Sequence, residues 1–217
     1  MSLLARKPVR IGRAQREARD DRVFLVATED THAPAQYFEA LAFRRVKVFI
    51  LPTEDGRSAP GHVFDRLRNA FESAKERKEV QPNDEFWLLL DTDHWSRGKH
   101  IPGLLDALQQ AQKAGFRFAM SNPCFELWLL LHHEEIAPGT TFGKCAEVEA
   151  RLRAALNGYN KGNVKSGQFP REFLATAIQR ARSLEANPDD PGGYWPEKAG
   201  TRIYLLLESI TSLTPLA

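Results

Sequence analysis

The sequence predicts an α/β protein with a parallel four-stranded sheet that has helices on both faces, followed by a C-terminal helical segment. Short apolar or β-branched runs alternate with segments of helical periodicity four times before residue 134. The third run, at 84–93, has no polar alternation, which is typical of a central strand covered on both faces. The remainder of the chain has helical patterns only. Repeated strand–helix units favour a parallel sheet, because each helix returns the chain to the same end of the sheet.

The elements follow one another with short connections. The predicted strands are 22–28, 44–51, 84–93 and 116–121, and the predicted helices after them are 33–43, 59–77, 101–115 and 122–133. Pro34 and Pro123 lie near the starts of two of these helices, Asn122 is placed to cap the fourth, and Gly115 ends the third. Further helices are predicted at 144–159, 170–186 and 200–213, with a loop rich in Pro and Gly at 187–200.

The composition is that of a globular protein large enough to bury a full core. Of 217 residues, 42% are hydrophobic, and the net charge of +2 neither requires nor excludes a polyanionic partner. Cys124 and Cys145 cannot supply a disulfide framework, and together with His132 and His133 they do not have the spacing of a zinc site. No apolar run is long enough for a membrane span, and the N-terminus has no secretory segment, so we expect a cytoplasmic protein.

The pattern divides the chain into a basic N-terminal arm (1–21), an α/β core (22–143) and a helical annex packed on the core (144–217). In the arm, arginines recur at every third position from Arg10 through Arg13 and Arg16. This spacing spreads them around a helix, so a single arginine face would need an extended backbone. The arm is therefore either a nucleic-acid-binding segment that contacts phosphates or a solvated tail.

Acidic residues end two of the predicted strands. Asp91 and Asp93 end the third strand, and Glu29 ends the first. In an open parallel sheet, functional groups gather at the carboxyl ends of the strands, and residues two apart on a strand point to the same side. Hard oxygen ligands suit Mg²⁺ or Mn²⁺, which would relieve the repulsion between like charges. We therefore expect Glu29, Asp91 and Asp93 to bind such a metal, with capping of the following turns as the alternative.

Three further residues are candidates for the same site. Glu126 is the one acid in an otherwise apolar helix, so it needs a partner, which is either the metal site or a basic residue in a structural salt bridge. Asn122 can support the site or act only as a helix cap. His94 follows Asp93 and is either a phosphate-contacting or proton-transferring group or a loop histidine. These residue types suit phosphoryl transfer, because a metal neutralises the phosphate while a free carboxylate moves a proton.

Three motifs carry a resemblance to a known family: "ATEDTHAPAQYFEAL", "LLLDTDHW" and "SNPCFELWLLLHH". Together they resemble the RloB-like family of bacterial and archaeal proteins, whose core is similar to the Toprim fold. The resemblance extends from about residue 22 to residue 212. Glu29, Tyr37 and Phe38 match the family's first motif, whereas Asp30 stands where Gly is usual and Pro34 where a second Glu is usual.

The resemblance implies a Toprim-like, Mg²⁺-dependent phosphodiesterase. In it, Glu29, Asp91 and Asp93 would form the acidic set, and Glu126 and Asn122 would support it. The resemblance also implies a role in prokaryotic antiviral defence, such as abortive infection, often with an ABC-type or AAA-type ATPase that restrains the nuclease. DNA and structured RNA such as tRNA are the substrates that related Toprim effectors suggest.

Other readings stay open at this point. Lys161, Arg180 and Arg182 either line a nucleic-acid path or form a solvated helix face.

The protein is either a monomer or a homo-oligomer. A non-catalytic Toprim-like adaptor that binds an ATPase or nucleic acid is the main alternative to a nuclease; the changed turn at Asp30 favours it and the complete acidic set argues against it. A nucleotide-sugar transferase and an aspartate-nucleophile phosphatase are disfavoured, because the chain lacks an obvious acceptor domain and the phosphatase pattern.

Overall fold

The computed structural model describes residues 21–53, 56–93, 95 and 100–212, in which an α/β fold is built on a mixed five-stranded sheet. The strands are β1 (Arg22–Thr28), β2 (Val46–Leu51), β3 (Glu85–Asp91), β4 (Arg117–Asn122) and β5 (Gly200–Thr201). The seven α-helices of the described residues are α1 (Ala33–Leu41), α2 (Pro60–Glu76), α3 (Ile101–Lys113), α4 (Phe125–Leu130), α5 (Cys145–Ala155), α6 (Leu174–Ser183) and α7 (Ile203–Thr211). Among the helices within these ranges, none has the length and apolar character that crossing a membrane requires.

The sheet has the strand order β2-β1-β3-β4-β5. Strands β1 to β4 are parallel, as the sequence predicts, but β5 pairs antiparallel with β4 through Gly200 and Thr201. The prediction of a purely parallel, four-stranded sheet is therefore wrong at this edge. A strand of two residues has no alternation of polar and apolar side chains that a sequence pattern can reveal. The helical pattern of the last segment instead places Thr201 at the start of α7.

Helices cover both faces of the sheet, as predicted. Leu88 and Leu90 of β3 pack with α2 and α3 on one face, and Trp87 and Leu89 pack with α1 and α4 on the other. Because β3 is buried on both sides, its sequence is continuously apolar rather than alternating. Helices α5, α6 and α7 add their apolar residues to the cluster around α1 and α4, so the C-terminal helices share one core with that face.

The fourth helix begins later than the sequence predicts. Asn122 is the last residue of β4, where it pairs with Gly200 of β5, and α4 begins at Phe125 with Cys124 in the capping position. Asn122 therefore does not cap α4. Pro123, which follows Asn122 through a cis peptide bond, precedes the helix instead of lying in its first turn. Because Asn122 pairs with β5, the chain is still extended at this residue, and the helix begins after it.

The strand order reverses direction between β1 and β3. The chain leaves β1 through α1 toward β2 on one side, and it leaves β3 through α3 toward β4 on the other. In doubly wound sheets, ligands bind in the crevice at such a switch point, beyond the carboxyl ends of the strands. Glu29, which follows β1, and Asp91, which ends β3, both lie at this place.

Candidate metal site at the carboxyl edge of the sheet

The side chain of Glu29 joins the ends of the neighbouring strands β1 and β3. Its Oε1 accepts a hydrogen bond from the backbone N–H of Asp91, and its Oε2 accepts one from Trp95 Nε1 at 2.5 Å. Asp91 and Asp93 line the same cavity as Glu29. The structure thus brings together the three acids that the sequence predicts as metal ligands, because they follow adjacent strands at one edge of the sheet.

A second group of charges lies beside these acids and is centred on Lys161. The Nζ of Lys161 is 2.7 Å from Asp30 Oδ2 and 3.1 Å from Glu126 Oε1. Tyr159 OH donates a hydrogen bond of 3.3 Å to the same oxygen of Glu126. The fully buried Glu126 therefore has the partner that its apolar helix requires. This partner is a basic residue, and it also contacts an acid next to Glu29.

Asp30 serves both a helix and the site. Its Oδ1 accepts hydrogen bonds from the backbone N–H groups of His32 at 2.7 Å and Ala33 at 2.9 Å, at the start of α1. Its Oδ2 contacts Lys161. Asp30 is not among the residues with a left-handed backbone. The position at which the RloB-like motif usually has glycine therefore holds a side chain here without left-handed strain.

We call the five carboxylates of this region the acidic cluster: Glu29, Asp30, Asp91, Asp93 and Glu126. Burial raises the pKa of Glu29 to about 8, although the two hydrogen bonds that it accepts oppose the shift. Burial, followed by the charges of Glu29 and Glu126, raises the pKa of Asp91 well above its usual value. Burial alone would lower the pKa of Lys161, but Glu126 and Asp30 raise it above the ordinary range, so the lysine stays charged. Burial and the neighbouring acids therefore favour the protonated forms of Glu29 and Asp91.

Four members of the acidic cluster, together with Lys161, line a cavity of about 350 Å³. Its wall also contains Ser58, from the loop before α2, and Glu149 of α5. The sequence gives no signal for either residue, because each lies in a segment whose polar side chains could equally face solvent. The cavity is open at the carboxyl edge of the sheet and is lined mostly by oxygen-bearing side chains, which suits a hard cation and an anionic ligand.

Cys124 and Cys145 also line this cavity and are joined by a disulfide bond. The sequence excludes a disulfide framework but does not predict this single pair, which brings the start of α4 to the start of α5 across 21 residues of sequence. Cys124, Glu126 and Cys145 lie close enough to share a metal ion, but the paired sulfurs offer no thiolate. His132 lies apart from them and contacts Tyr37 OH through Nε2 at 3.2 Å.

The basic residues predicted to line a nucleic-acid path lie in different places. Lys161 lies in the acidic cluster. Arg180 donates a hydrogen bond of 2.8 Å to the backbone carbonyl of Leu131, and Arg182 contacts Glu208 at 2.9 Å. Both arginines of α6 therefore have partners within the fold, and the nucleic-acid path stays a prediction.

Asn122 is next to the acidic cluster rather than in it. Its Nδ2 donates a hydrogen bond of 2.8 Å to the carbonyl of Pro196, and the residue lines a second cavity. The other predicted site residues lie outside the described part of the chain; they are His94, Arg10, Arg13 and Arg16.

The comparison with protein families agrees with the motifs. A family model described as RloB-like protein matches residues 24–210, which is most of the chain. The match confirms the resemblance that the three sequence motifs carry. No curated protein and no solved structure matches the chain.

Proposed function

Because the chain belongs to the RloB-like family, we propose that it is a metal-dependent nuclease of a prokaryotic anti-phage defence system, acting on DNA or on structured RNA such as tRNA. The acidic cluster carries this proposal. Five carboxylates lie at the switch point of the sheet, and among the described residues that line their cavity the cation is Lys161. Carboxylate oxygens gathered in one cavity suit a divalent cation together with a phosphate ligand.

The donor set fits Mg²⁺ or Mn²⁺. Glu29, Asp91 and Asp93 would hold the ion, because their carboxylate oxygens are hard ligands and line one cavity. Burial raises the pKa values of Glu29 and Asp91, so a cation would displace protons from them. When bound, the metal would polarise the scissile phosphate and help to generate the attacking hydroxide.

Residues of the chain itself orient the phosphate. The Lys161 side chain is 43% exposed and lines the cavity, so its ammonium group can donate to a phosphate oxygen. Asp30 and Glu126 hold this ammonium group on one side, and Tyr159 holds Glu126. Glu29 fixes the end of β3 through the N–H of Asp91. Lys161 is therefore a phosphate-positioning residue in this proposal.

The proposed regulation follows from the family rather than from the site. RloB-like proteins resemble effectors that an ABC-type or AAA-type ATPase holds inactive until infection. A nuclease in the cytoplasm needs such restraint, because host nucleic acid is always within its reach. The ATPase partner and the cytoplasmic location are therefore parts of the same proposal.

One observation favours the alternative, a non-catalytic adaptor that binds an ATPase or nucleic acid. The Nζ of Lys161 lies within 3.1 Å of two acids, so an internal cation already neutralises part of the acidic cluster. In an adaptor, this salt bridge would be structural and the cluster would not need a metal. Metal binding separates the two functions.

The experiment is a calorimetric titration of Mg²⁺ and Mn²⁺ into the wild type and into a Glu29→Gln, Asp91→Asn double variant. Both proteins are then incubated with plasmid DNA and with total tRNA. An Asp65→Asn variant is the matched control, because Asp65 is half-exposed on α2 and pairs with Arg68. We expect wild type and control to bind metal and cleave one polymer, and the double variant to do neither.

Two results would change the conclusion. If the double variant still bound metal, Glu29 and Asp91 would not be the metal ligands. A wild type that binds no metal would favour the adaptor, and its binding to nucleic acid should then be unaffected by Asp91→Asn.

A further inference from the structure

A second cavity, of about 500 Å³, lies beside the candidate metal site. It is formed between the loop before α5 and the loop before β5, at the carboxyl end of β4. Its wall includes two aromatic residues, Phe142 and Trp195, and four polar residues, which are Asn122, Thr141, Glu197 and Lys198. The volume is in the range of cavities that hold small ligands.

The two cavities share their dividing wall. Asn122 and Gly143 line the second cavity, whereas Cys124 and Cys145, two positions further along the chain in each case, line the metal-site cavity. In addition, Asp91 at the end of β3 pairs directly with Ser121 of β4. A ligand in the second cavity would therefore lie one strand away from a phosphate at the acidic cluster.

The second cavity is held open by contacts that do not depend on a ligand. The backbone N–H of Ala199 donates to the carbonyl of Thr140 at 2.9 Å, which joins the two loops. On the same side, Asn122 Nδ2 donates to the carbonyl of Pro196 at 2.8 Å. Ligand binding therefore does not have to order these loops, which lowers its entropic cost.

A buried arginine fixes the loop that carries Trp195. Arg202 is 5% exposed and pairs with Glu185 at 2.9 Å. Its two terminal nitrogens donate to the carbonyls of Gly193 at 2.9 Å and Gly192 at 2.7 Å. A guanidinium group with three satisfied partners is a rigid support, so Trp195 is held in place two residues further on.

The side chains of the second cavity match the surface of a nucleobase. Trp195 and Phe142 supply the aromatic part of the wall, and the ring of Phe142 also has the guanidinium of Arg151 over it, 5.5 Å from its centroid. Bases of any sequence can stack on aromatic rings. Asn122 keeps its Oδ1 as an acceptor while its Nδ2 is bonded to Pro196, and the exposed Lys198 offers a cation at the rim. A flat apolar group with a hydrogen-bonding edge and a nearby phosphate is the ligand that such a lining recognises.

We propose that this cavity, which we call the base pocket, takes one unpaired nucleobase of the strand whose phosphate lies at the acidic cluster. The inference rests on the proposed nuclease function and specifies its substrate. A base inside the pocket cannot be paired or stacked within a helix, so the substrate is a single strand, a loop or a flipped nucleotide. Intact duplex is then a poor substrate.

The test measures binding of single-stranded oligonucleotides of about six nucleotides by fluorescence anisotropy, a length within the range that single-strand sites cover. An Asp91→Asn background prevents cleavage. Each nucleotide is replaced in turn by an abasic one. The affinity of each oligonucleotide is measured for the Asp91→Asn protein and for the same protein with Trp195→Ala added. We expect Trp195→Ala to weaken binding by about tenfold. One abasic position should weaken binding to the Asp91→Asn protein by a similar factor and leave binding to the Trp195→Ala protein unchanged, because both changes remove the same contact.

Two further variants guard the interpretation. Lys198→Glu changes an exposed side chain at the pocket rim and should weaken binding even if Trp195→Ala perturbs its loop. Phe49→Ala removes another exposed aromatic, 50% exposed on β2 at the opposite edge of the sheet, and should leave the affinity unchanged.

If every abasic position weakened binding equally in both proteins, the base pocket would be overturned. The nuclease proposal would still be supported if the protein with intact Asp91 cleaved nucleic acid in the presence of Mg²⁺. Absence of both cleavage and oligonucleotide binding would overturn the two proposals together.

Discussion

The two ends of β1 and β3 contain acids in opposite electrostatic situations. At the amino end, Glu85 begins β3, and its Oε1 accepts hydrogen bonds from Arg22 of β1 and from Ser209 Oγ at 2.7 Å. Its Oε2 accepts one from Trp87 Nε1 at 2.8 Å and lies 3.4 Å from Arg117. Glu85 is 9% exposed. A buried carboxylate with two arginines and two neutral donors is complete within the fold.

At the carboxyl end of the same strands, the balance is reversed. Glu29 and Asp91 lie beside three more carboxylates, and Lys161 brings one positive charge to the group. Burial and mutual repulsion raise the pKa of Asp91 well above its usual value. The comparison teaches that this sheet can neutralise a buried acid with arginines where only stability is needed. At the carboxyl end, the described residues that line the cavity of the acids supply one cation, Lys161, and this difference is why we assign function there.

The largest expected effect is the loss of cleavage on Asp91→Asn. A metal supplies several kcal/mol of transition-state stabilisation, so the rate should fall by about 10³-fold or more. The variant should fold normally and be at least as stable as the wild type without metal, because Asn has the size of Asp and lacks an acid whose ionisation burial and neighbouring acids oppose. Single-turnover cleavage and urea unfolding measure both quantities. Wild-type activity in Asp91→Asn would contradict the assignment of function to the carboxyl end of the strands.

Glu85→Gln should have the opposite profile. The loss of the charge leaves Arg22 without its partner, which should lower the free energy of unfolding by about 3 kcal/mol. Metal affinity of the folded protein should not change, because Glu85 lies at the other end of the sheet. Urea unfolding and calorimetry provide the two readouts. A matched control is Glu79→Gln, whose exposed pair with Arg77 should cost less than about 0.5 kcal/mol.

The contribution of Glu29 to the stability of the metal-free protein should fall as the pH rises from about 4.5 to about 8, because burial raises the pKa of Glu29 to about 8. In that range the unfolded chain has lost the proton that folded Glu29 retains, so this contribution has a negative slope against pH, whereas the lowered pKa of His132 gives the opposite slope up to about pH 6.5. Glu29→Gln should remove the negative contribution, which thermal unfolding with EDTA measures. At pH 8, Mg²⁺ at about 100 times its dissociation constant should stabilise the wild type by about 2.7 kcal/mol, or about 5–10 °C. No effect of Mg²⁺ at pH 8 would contradict a metal site.

The smallest expected effect sharpens the amino end of the comparison. Arg117 is 57% exposed and lies 3.4 Å from Glu85, whereas Arg22 is 20% exposed and contacts it directly. Arg117→Gln should therefore cost about 0.5 kcal/mol, as for a surface ion pair. Arg22→Gln should cost several times more. Equal costs in urea unfolding would mean that both arginines hold Glu85 to the same degree.

Much of the fold could be predicted because its signals are local. The four parallel strands are six or seven residues long and contain short apolar or β-branched runs, and a segment of helical periodicity follows each of them. The approach of Glu29 to Asp91 follows from the placement of acids at the ends of neighbouring strands. The two-residue strand β5 could not be predicted, because it exists only through its pairing with β4.

The rest of the site depends on contacts between distant parts of the chain. Lys161 reaches Asp30 across more than a hundred residues, and no spacing in the sequence encodes that approach. Glu126 is the residue in the sequence that indicates such a contact, because a lone acid in an apolar helix requires a partner elsewhere in the fold. The pairing of Cys124 with Cys145 is similar, since it depends on the packing of α5 against α4.

The position of Lys161 in the chain has a consequence for biosynthesis. Chains are made from the amino end, so Glu29, Asp91 and Glu126 leave the ribosome before Lys161 does. A nascent or truncated chain that stops before residue 161 has the acids but not their internal cation. Lys161, to which we assign phosphate positioning, is thus added only when the C-terminal helices are being made, and an unfinished copy of this protein would lack part of the proposed site.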